Sequence, residues 1–253
     1  MKNQDYKIPM KQDDFSILED KIYKLFIEIV EAKETTSTRN SEKQIEYLED
    51  IAHQIKTPIT SMIFSIENLE LDYPDSRDIE ILKRQLLRLN SLSDILLKLS
   101  SLDANKELMK NEDVRLDELI FYSLDTLNLK KSVRIIIDDS LKENSICGDF
   151  YWLAEAIINI LKNADNRKSC DKITISSEKN PLYTSLIIED NGGGIEKENI
   201  KKIFKRFYKT PDSNGFGIGL AMAKTIVEKN NGDISVSNID CGARFEIKFY
   251  NVT

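Results

Sequence analysis

His53 is the only histidine among 253 residues, and it lies in the run Ala52-His53-Gln54-Ile55-Lys56-Thr57-Pro58-Ile59-Thr60. A neutral imidazole is a nucleophile when one ring nitrogen holds the proton and the other is free. Three further runs carry residue types suited to phosphate chemistry. Within Glu155-Ala156-Ile157-Ile158-Asn159-Ile160-Leu161-Lys162-Asn163-Ala164, the amides Asn159 and Asn163 are one helical turn apart and share a face. Their neutral oxygens suit Mg²⁺, which keeps several waters and shares the phosphates of a nucleotide. Ile188-Glu189-Asp190-Asn191-Gly192-Gly193-Gly194 ends a strand pattern in a carboxylate followed by glycines. Asp190 can accept from an exocyclic amine, and the glycines allow positive φ and close approach of a ligand to the backbone. Asn214-Gly215-Phe216-Gly217-Ile218-Gly219 leads directly into a helical pattern. Alternating glycines at a helix N-terminus expose amides to an anion, and the helix dipole adds to that attraction.

The elements that position these groups follow from apolar spacing. From Ser41 to Leu71, Ile45, Leu48, Ile51, Ala52, Ile55, Ile59, Met62, Ile63, Ile66 and Leu69 recur at steps of three and four, the pattern of one buried helical stripe. His53 points roughly 150° from the centre of that stripe at about 100° per residue, in the same half of the helix as Glu46, Glu49, Asp50 and Thr57. Pro74 and Asp75 mark a turn, and Ile79, Leu82, Leu86, Leu89, Leu92, Leu96 and Leu99 form a second seam to about Ser101. Two helices with one apolar face each cannot bury both, so the spacing predicts dimerisation into a four-helix bundle. Past Asp103, β-branched runs at 133–137, 172–176, 186–188, 233–237 and 243–249 alternate with helical patterns at 116–129, 151–163, 198–207 and 219–229. This predicts an α/β sandwich with helices layered over a mixed sheet, and an α+β chain as a whole. The expected divisions are 1–40, a charged lead-in with a helical pattern and a polar linker, 41–102, the hairpin, and 103–253, the α/β domain.

Composition sets limits on function. The chain is 41% apolar and 31% charged with a formal charge of −7, which disfavours non-specific nucleic-acid binding. The basic aromatic run Ile203-Phe204-Lys205-Arg206-Phe207-Tyr208-Lys209 is better suited to packing its rings inward and offering Lys209 to a phosphate or to a lid. Cys147, Cys170 and Cys241 are widely spaced and odd in number, which fits a reducing cytoplasm and no thiolate metal site. No run approaches the ~18 apolar residues of a membrane span, so membrane association is expected only if a spanning segment precedes this chain.

In this order and spacing, the asparagine, aspartate-glycine and glycine runs resemble the catalytic ATP-binding domain of sensor histidine kinases, the GHKL or Bergerat fold. His53-Gln54-Ile55-Lys56-Thr57-Pro58 resembles that family's phospho-acceptor box. The resemblance covers about residues 41–250. It implies ATP and Mg²⁺ as cofactors, autophosphorylation of His53, transfer to an aspartate of a response-regulator receiver domain, and a homodimer. By the same resemblance Asn163 is the Mg²⁺ ligand, with Asn159 supporting metal and phosphate. Asp190 recognises adenine, Gly192 and Gly194 form the turn beneath the base, and Gly215, Gly217 and Gly219 form the hinge after the ATP lid. Thr57 matches the position that places a water for hydrolysing the regulator's acyl phosphate.

The chain departs from the family pattern in three places. Gln54 replaces an acidic residue, Asn166 and Arg167 replace a lysine and an aromatic, and only Thr210 to Asn214 separate Lys209 from Gly215. Two alternatives stay open on these grounds: an ATP-binding signalling phosphatase or pseudokinase, and a GHKL ATPase or protein-serine kinase without a histidine intermediate.

Overall fold

The computed structural model describes residues 41–103, 109–127, 133–167, 169–210 and 216–251, with the backbone alone for 41–55, 96 and 103. The lead-in of 1–40 and Gly215 therefore lie outside the described residues. The chain divides into two compact units, Met1–Lys106 and Glu107–Thr253.

The first unit is a helical hairpin of α1 (Ser41–Asp72) and α2 (Arg77–Asp103). Helix α1 continues through Pro58, which has no N–H to offer the carbonyl four residues earlier, at Gln54. The connection closes with the Ser76 amide donating to the Tyr73 carbonyl at 3.1 Å, and Asp78 and Glu80 occupy the favourable first turn of α2. The predicted stripes meet along Ile59, Ile66, Leu86 and Leu89, flanked by Ile63, Ile79 and Leu82. Ion pairs Lys56–Asp94 and Lys83–Glu70 join the helices at the edges of this seam.

The second unit holds β1 (Glu112–Arg115), α3 (Leu116–Thr126), β2 (Arg134–Ile137), a 3₁₀ turn at Asp139–Glu143, β3 (Ser145–Gly148) and α4 (Phe150–Asp165). It continues through β4 (Lys172–Lys179), β5 (Tyr183–Asp190), α5 (Lys197–Ile200), α6 (Gly219–Lys229), β6 (Gly232–Ile239) and β7 (Gly242–Tyr250). The main sheet has the order β2-β4-β5-β7-β6. Strands β2 and β4 run parallel and the remaining pairs antiparallel, so the sheet is mixed. Helices α4 and α6 pack together and supply Leu153, Ile157, Ile160, Leu161, Met222, Ile226 and Val227 to the core. Ile173, Ile175, Phe245 and Ile247 face them from β4 and β7 at 0–1% exposure. Strand β5, central in the sheet, is buried almost throughout.

Two local features differ from expectation. Strands β1 and β3, a separate antiparallel pair, are absent from the sequence reading because neither carries a β-branched run: Glu112-Asp113-Val114-Arg115 and Ser145-Ile146-Cys147-Gly148 have one such residue each, Val114 and Ile146. The helix expected over Glu198–Phe207 is a single turn, α5, followed by turns. Phe207 takes φ +61°, which a right-handed helix cannot accommodate. Phe204 meets the edge of Phe245 at 6.4 Å, and the Tyr208 hydroxyl donates to Asn199. The inward pull of the aromatics thus outweighs helical periodicity.

Candidate functional site

The α/β unit gathers its site residues at the C-terminal part of α4, the start of α6 and the loop after β5. Helix α4 is anchored by Asp149, whose Oδ1 accepts the amides of Tyr151 and Trp152 at 3.1 Å each. Asn230, just past α6, accepts the Asp149 amide at 2.8 Å and donates to the Ile226 carbonyl at 2.8 Å. One buried amide thus ties the end of α6 to the start of α4.

This tie sets the two helices so that Asn159 meets Gly219. A Cβ on Gly219 would fall 2.8 Å from Asn159 Oδ1. Asn159 Nδ2 donates to the Glu155 carbonyl at 2.9 Å, which orients the amide with its oxygen toward the start of α6. One turn on, Asn163 Nδ2 is buried without a hydrogen-bond partner. A buried unpartnered amide carries a desolvation penalty, and half a turn of its last torsion exchanges nitrogen for oxygen. The donor set therefore fits a Mg²⁺ ion that brings its other oxygens from water and phosphate. Among the described residues, no group of three or more His, Cys, Asp or Glu converges on a metal position.

Asp190 ends β5 at 3% exposure. Its Oδ1 accepts the Gly192 amide at 2.8 Å and lies 3.6 Å from Arg167 Nη1. Its Oδ2 is buried and has no partner. An orphaned carboxylate oxygen asks for a donor, and an exocyclic amine is one. Gly193 and Gly194 take φ +88° and +75°, and the loop is pinned by Asn238, which accepts the Ile195 amide and donates to the Ile195 carbonyl, both at 2.7 Å. Burial pushes the neighbouring Cys170 thiol up from its ordinary pKa, and the Asp190 charge adds to that shift.

Gly217 has φ +70°, and a Cβ there would lie 2.5 Å from the Tyr208 carbonyl oxygen. The glycine run and the aromatic run therefore touch along the backbone, and only a glycine fits between them. Lys209 follows on directly and is exposed. Gly215 and the side chains of His53 and Gln54 lie outside the described residues, so the structure speaks only of the helix that carries the latter two. Thr57, one turn past His53, is exposed and lines a groove on α1 with Lys56, Thr60, Ser61 and Phe64.

Arg167 entered the sequence reading only as a departure from the family pattern, and two contributors were missed, Asn238 and Gly242. Only the last had a legible signal, the turn run Asp240-Cys241-Gly242 between two strands. A Cβ on Gly242 would run into the Asp190 carbonyl.

Two family models match the chain. The His Kinase A (phospho-acceptor) domain matches residues 43–105, and the histidine kinase-, DNA gyrase B-, and HSP90-like ATPase matches residues 148–252. The heme sensor protein HssS of Staphylococcus saprophyticus is 29% identical over 213 residues, which are 81% of this chain and 46% of that protein. Sporulation kinase C of Bacillus subtilis is 26% identical over 229 residues, 87% of this chain and 52% of that protein. The chain thus spans about half the length of these curated relatives. Among solved structures, full-length ShkA in complex with AMPPNP aligns with a TM-score of 0.65 at 18% identity, covering 82% of this chain and 46% of that one. At that identity the likeness shows the fold.

Proposed function

The chain belongs to the sensor histidine kinases of two-component systems, and on that premise we propose that it phosphorylates His53 from ATP and passes the phosphoryl group to an aspartate of a response-regulator receiver domain. The observation that carries this reading is the buried, unpartnered Asp190 Oδ2 beside a positive-φ glycine turn. In this reading Oδ2 accepts the adenine amine, while Gly192 and Gly194 leave room for the base. Gly217 and Gly219, with Gly215, open the start of α6 to the phosphates. Lys209 offers its ammonium to them, and the amides of Asn159 and Asn163 face the metal and phosphate side. Mg²⁺, when bound through Asn163, neutralises phosphate charge and orients the transferring group.

The chain's own chemistry is at His53. The neutral imidazole attacks the γ-phosphorus through Nε2, the bond to the ADP oxygen breaks, and the proton on Nδ1 is then given up to water. Gln54 holds the tautomer by accepting from Nδ1–H, but an amide is a far poorer base than the carboxylate usual at this position. The phosphoimidazole is the donor to the regulator's aspartate. Thr57 is proposed to place the water that hydrolyses the resulting acyl phosphate, which makes the chain a phosphatase toward its regulator as well.

The hairpin supports a homodimer. Met62 and Leu69 of the expected stripe, with Phe64, Leu71 and Leu87 outside it, stay 46–81% exposed on it. No helix among the described residues is long and apolar enough to cross a membrane. The use of ATP and the three free cysteines support work on the cytoplasmic side.

Incubation of the chain with γ-labelled ATP tests the proposal. Acid-labile, base-stable label on the parent and none on His53→Gln is the expected result. Label stable to acid points instead to a serine kinase. Binding of ATP without any label points to a pseudokinase.

A further inference from the structure

Arg167 lies just beyond α4, four residues after Asn163. Its Nη1 donates to the Gly194 carbonyl at 2.7 Å and stands 3.6 Å from Asp190 Oδ1. Its stem lies on Gly192, where a Cβ would come 2.7 Å from Arg167 Cδ and 3.1 Å from its Cβ. The side chain is 18% exposed, and that of Asp190 is 1% exposed. One guanidinium therefore braces both the carboxylate and the glycine turn. Asp190 Oδ1 accepts the Gly192 amide and is ion-paired with Arg167 Nη1, and Oδ2 is left buried without a partner.

We infer that Arg167 is the positioning residue that sets base specificity: by fixing Oδ1 and the turn, it leaves Oδ2 as the one open acceptor and so selects a purine bearing an exocyclic amine over one bearing an oxo group. This rests on Asp190 as the base acceptor. The physics is that of a site built to receive a hydrogen bond. A purine with an oxo group in place of the amine sets acceptor against acceptor in a buried place, and both groups lose their water without replacement. Without the guanidinium, the carboxylate is free to turn about its last torsion, which is broad and two-fold. Either oxygen can then take the Gly192 amide, and the open acceptor loses its fixed direction.

The test compares binding of ATP and inosine triphosphate, in which an oxo group replaces the exocyclic amine and N1 gains a proton, to the full chain by calorimetry. Arg167→Met keeps the stem on Gly192 and deletes the fork. It is expected to weaken ATP by about tenfold, leave inosine triphosphate nearly unchanged, and so lower the preference by about tenfold. A uniform loss for both nucleotides is what a merely structural role would give, and it overturns the inference, as does no loss. Arg167→Lys restores the charge without the planar fork and is expected to recover part of the preference. If Arg167→Met does not fold, Arg167→Lys decides, because a fully retained preference shows that the fork is unnecessary. Asp190→Asn separates the two levels. Preference lost there but kept in Arg167→Met overturns the role of Arg167 alone, whereas no preference in the parent chain overturns the base-acceptor reading itself.

Discussion

The two units are incomplete in opposite ways. The hairpin has a thin core along Ile59, Ile66, Leu86 and Leu89 and leaves Phe64 at 65% and Leu71 at 81% exposure. Its deficit is mainly apolar, and a second protein surface is what removes such a deficit. The α/β unit buries a fuller core, with Phe245, Ile247, Ile160 and Leu161 at 0–1% exposure, although Phe121, Tyr151 and Leu182 stay 56–73% exposed at its surface. At its site the deficit is polar: Asp190 Oδ2 and Asn163 Nδ2 are buried without partners. A small polar ligand satisfies groups of that kind. Among its described residues the hairpin has one such atom, Asn90 Oδ1 on α2. An unmet apolar face and unmet polar atoms thus point to different occupants, a macromolecule for one unit and a nucleotide for the other.

That contrast breaks if the units do not respond separately to substitution. Leu86→Ala, at a site 2% exposed in the hairpin seam, is expected to cost about 2–5 kcal/mol. Trp152, the sole tryptophan, sits on α4, so its fluorescence follows the α/β unit, whereas far-ultraviolet circular dichroism follows both. In a denaturant titration the early helical loss should separate from the Trp152 transition. A single transition lowered as a whole would contradict independent units.

Gly217→Ala acts on the other side of the comparison. A methyl at φ +70° against the Tyr208 carbonyl forces the backbone apart at about 1–3 kcal/mol. ATP binding should weaken by about tenfold with the hairpin unaffected; undiminished binding would remove Gly217 from the nucleotide end of α6. A comparable change is expected from Leu87→Asp, which places a charge on the wet hairpin face, at a residue 47% exposed. Sedimentation should show the dimer dissociation constant rising by roughly tenfold, with ATP binding intact. An unchanged dimer would place the interface elsewhere.

The smallest effect concerns Asp117, whose pKa is held below the ordinary carboxylate value chiefly by its hydrogen bond from Arg115. A lowered folded-state pKa means the stabilisation is present above the unfolded carboxylate pKa and is lost as pH falls through the folded value. Because Arg115 is about half exposed, solvent screening keeps the contribution of the pair small. Asp117→Asn should therefore shift the denaturation midpoint slightly at neutral pH and not at all once the carboxylate is protonated. A difference that grows on acidification would reverse the assigned sign.

Legibility in the sequence followed the range of the signal. Helices α1 and α2 and strands β4 to β7 were legible because their apolar residues repeat at periods set by neighbours a few positions away. The run Glu198–Phe207 carries a similar repeat, yet forms one turn of helix, because Phe204 and Tyr208 find long-range partners in Phe245 and Asn199. Arg167 stands out in the sequence only as a departure from the family pattern; nothing local shows that its stem lies on Gly192.

By itself the sequence determined which chemical groups the protein has to offer: one imidazole on a helix, two amides a turn apart, and a carboxylate followed by glycines. These are properties of composition and local spacing. The tertiary structure decided what each group faces. Asn159 lies against the Cα of Gly219, Arg167 braces Asp190, and Gly242 passes beneath the Asp190 carbonyl, all through the register of β5 with β7 and the packing of α4 on α6. Such pairings join residues far apart in the chain, and burial of a shared core, rather than any local propensity, fixes them.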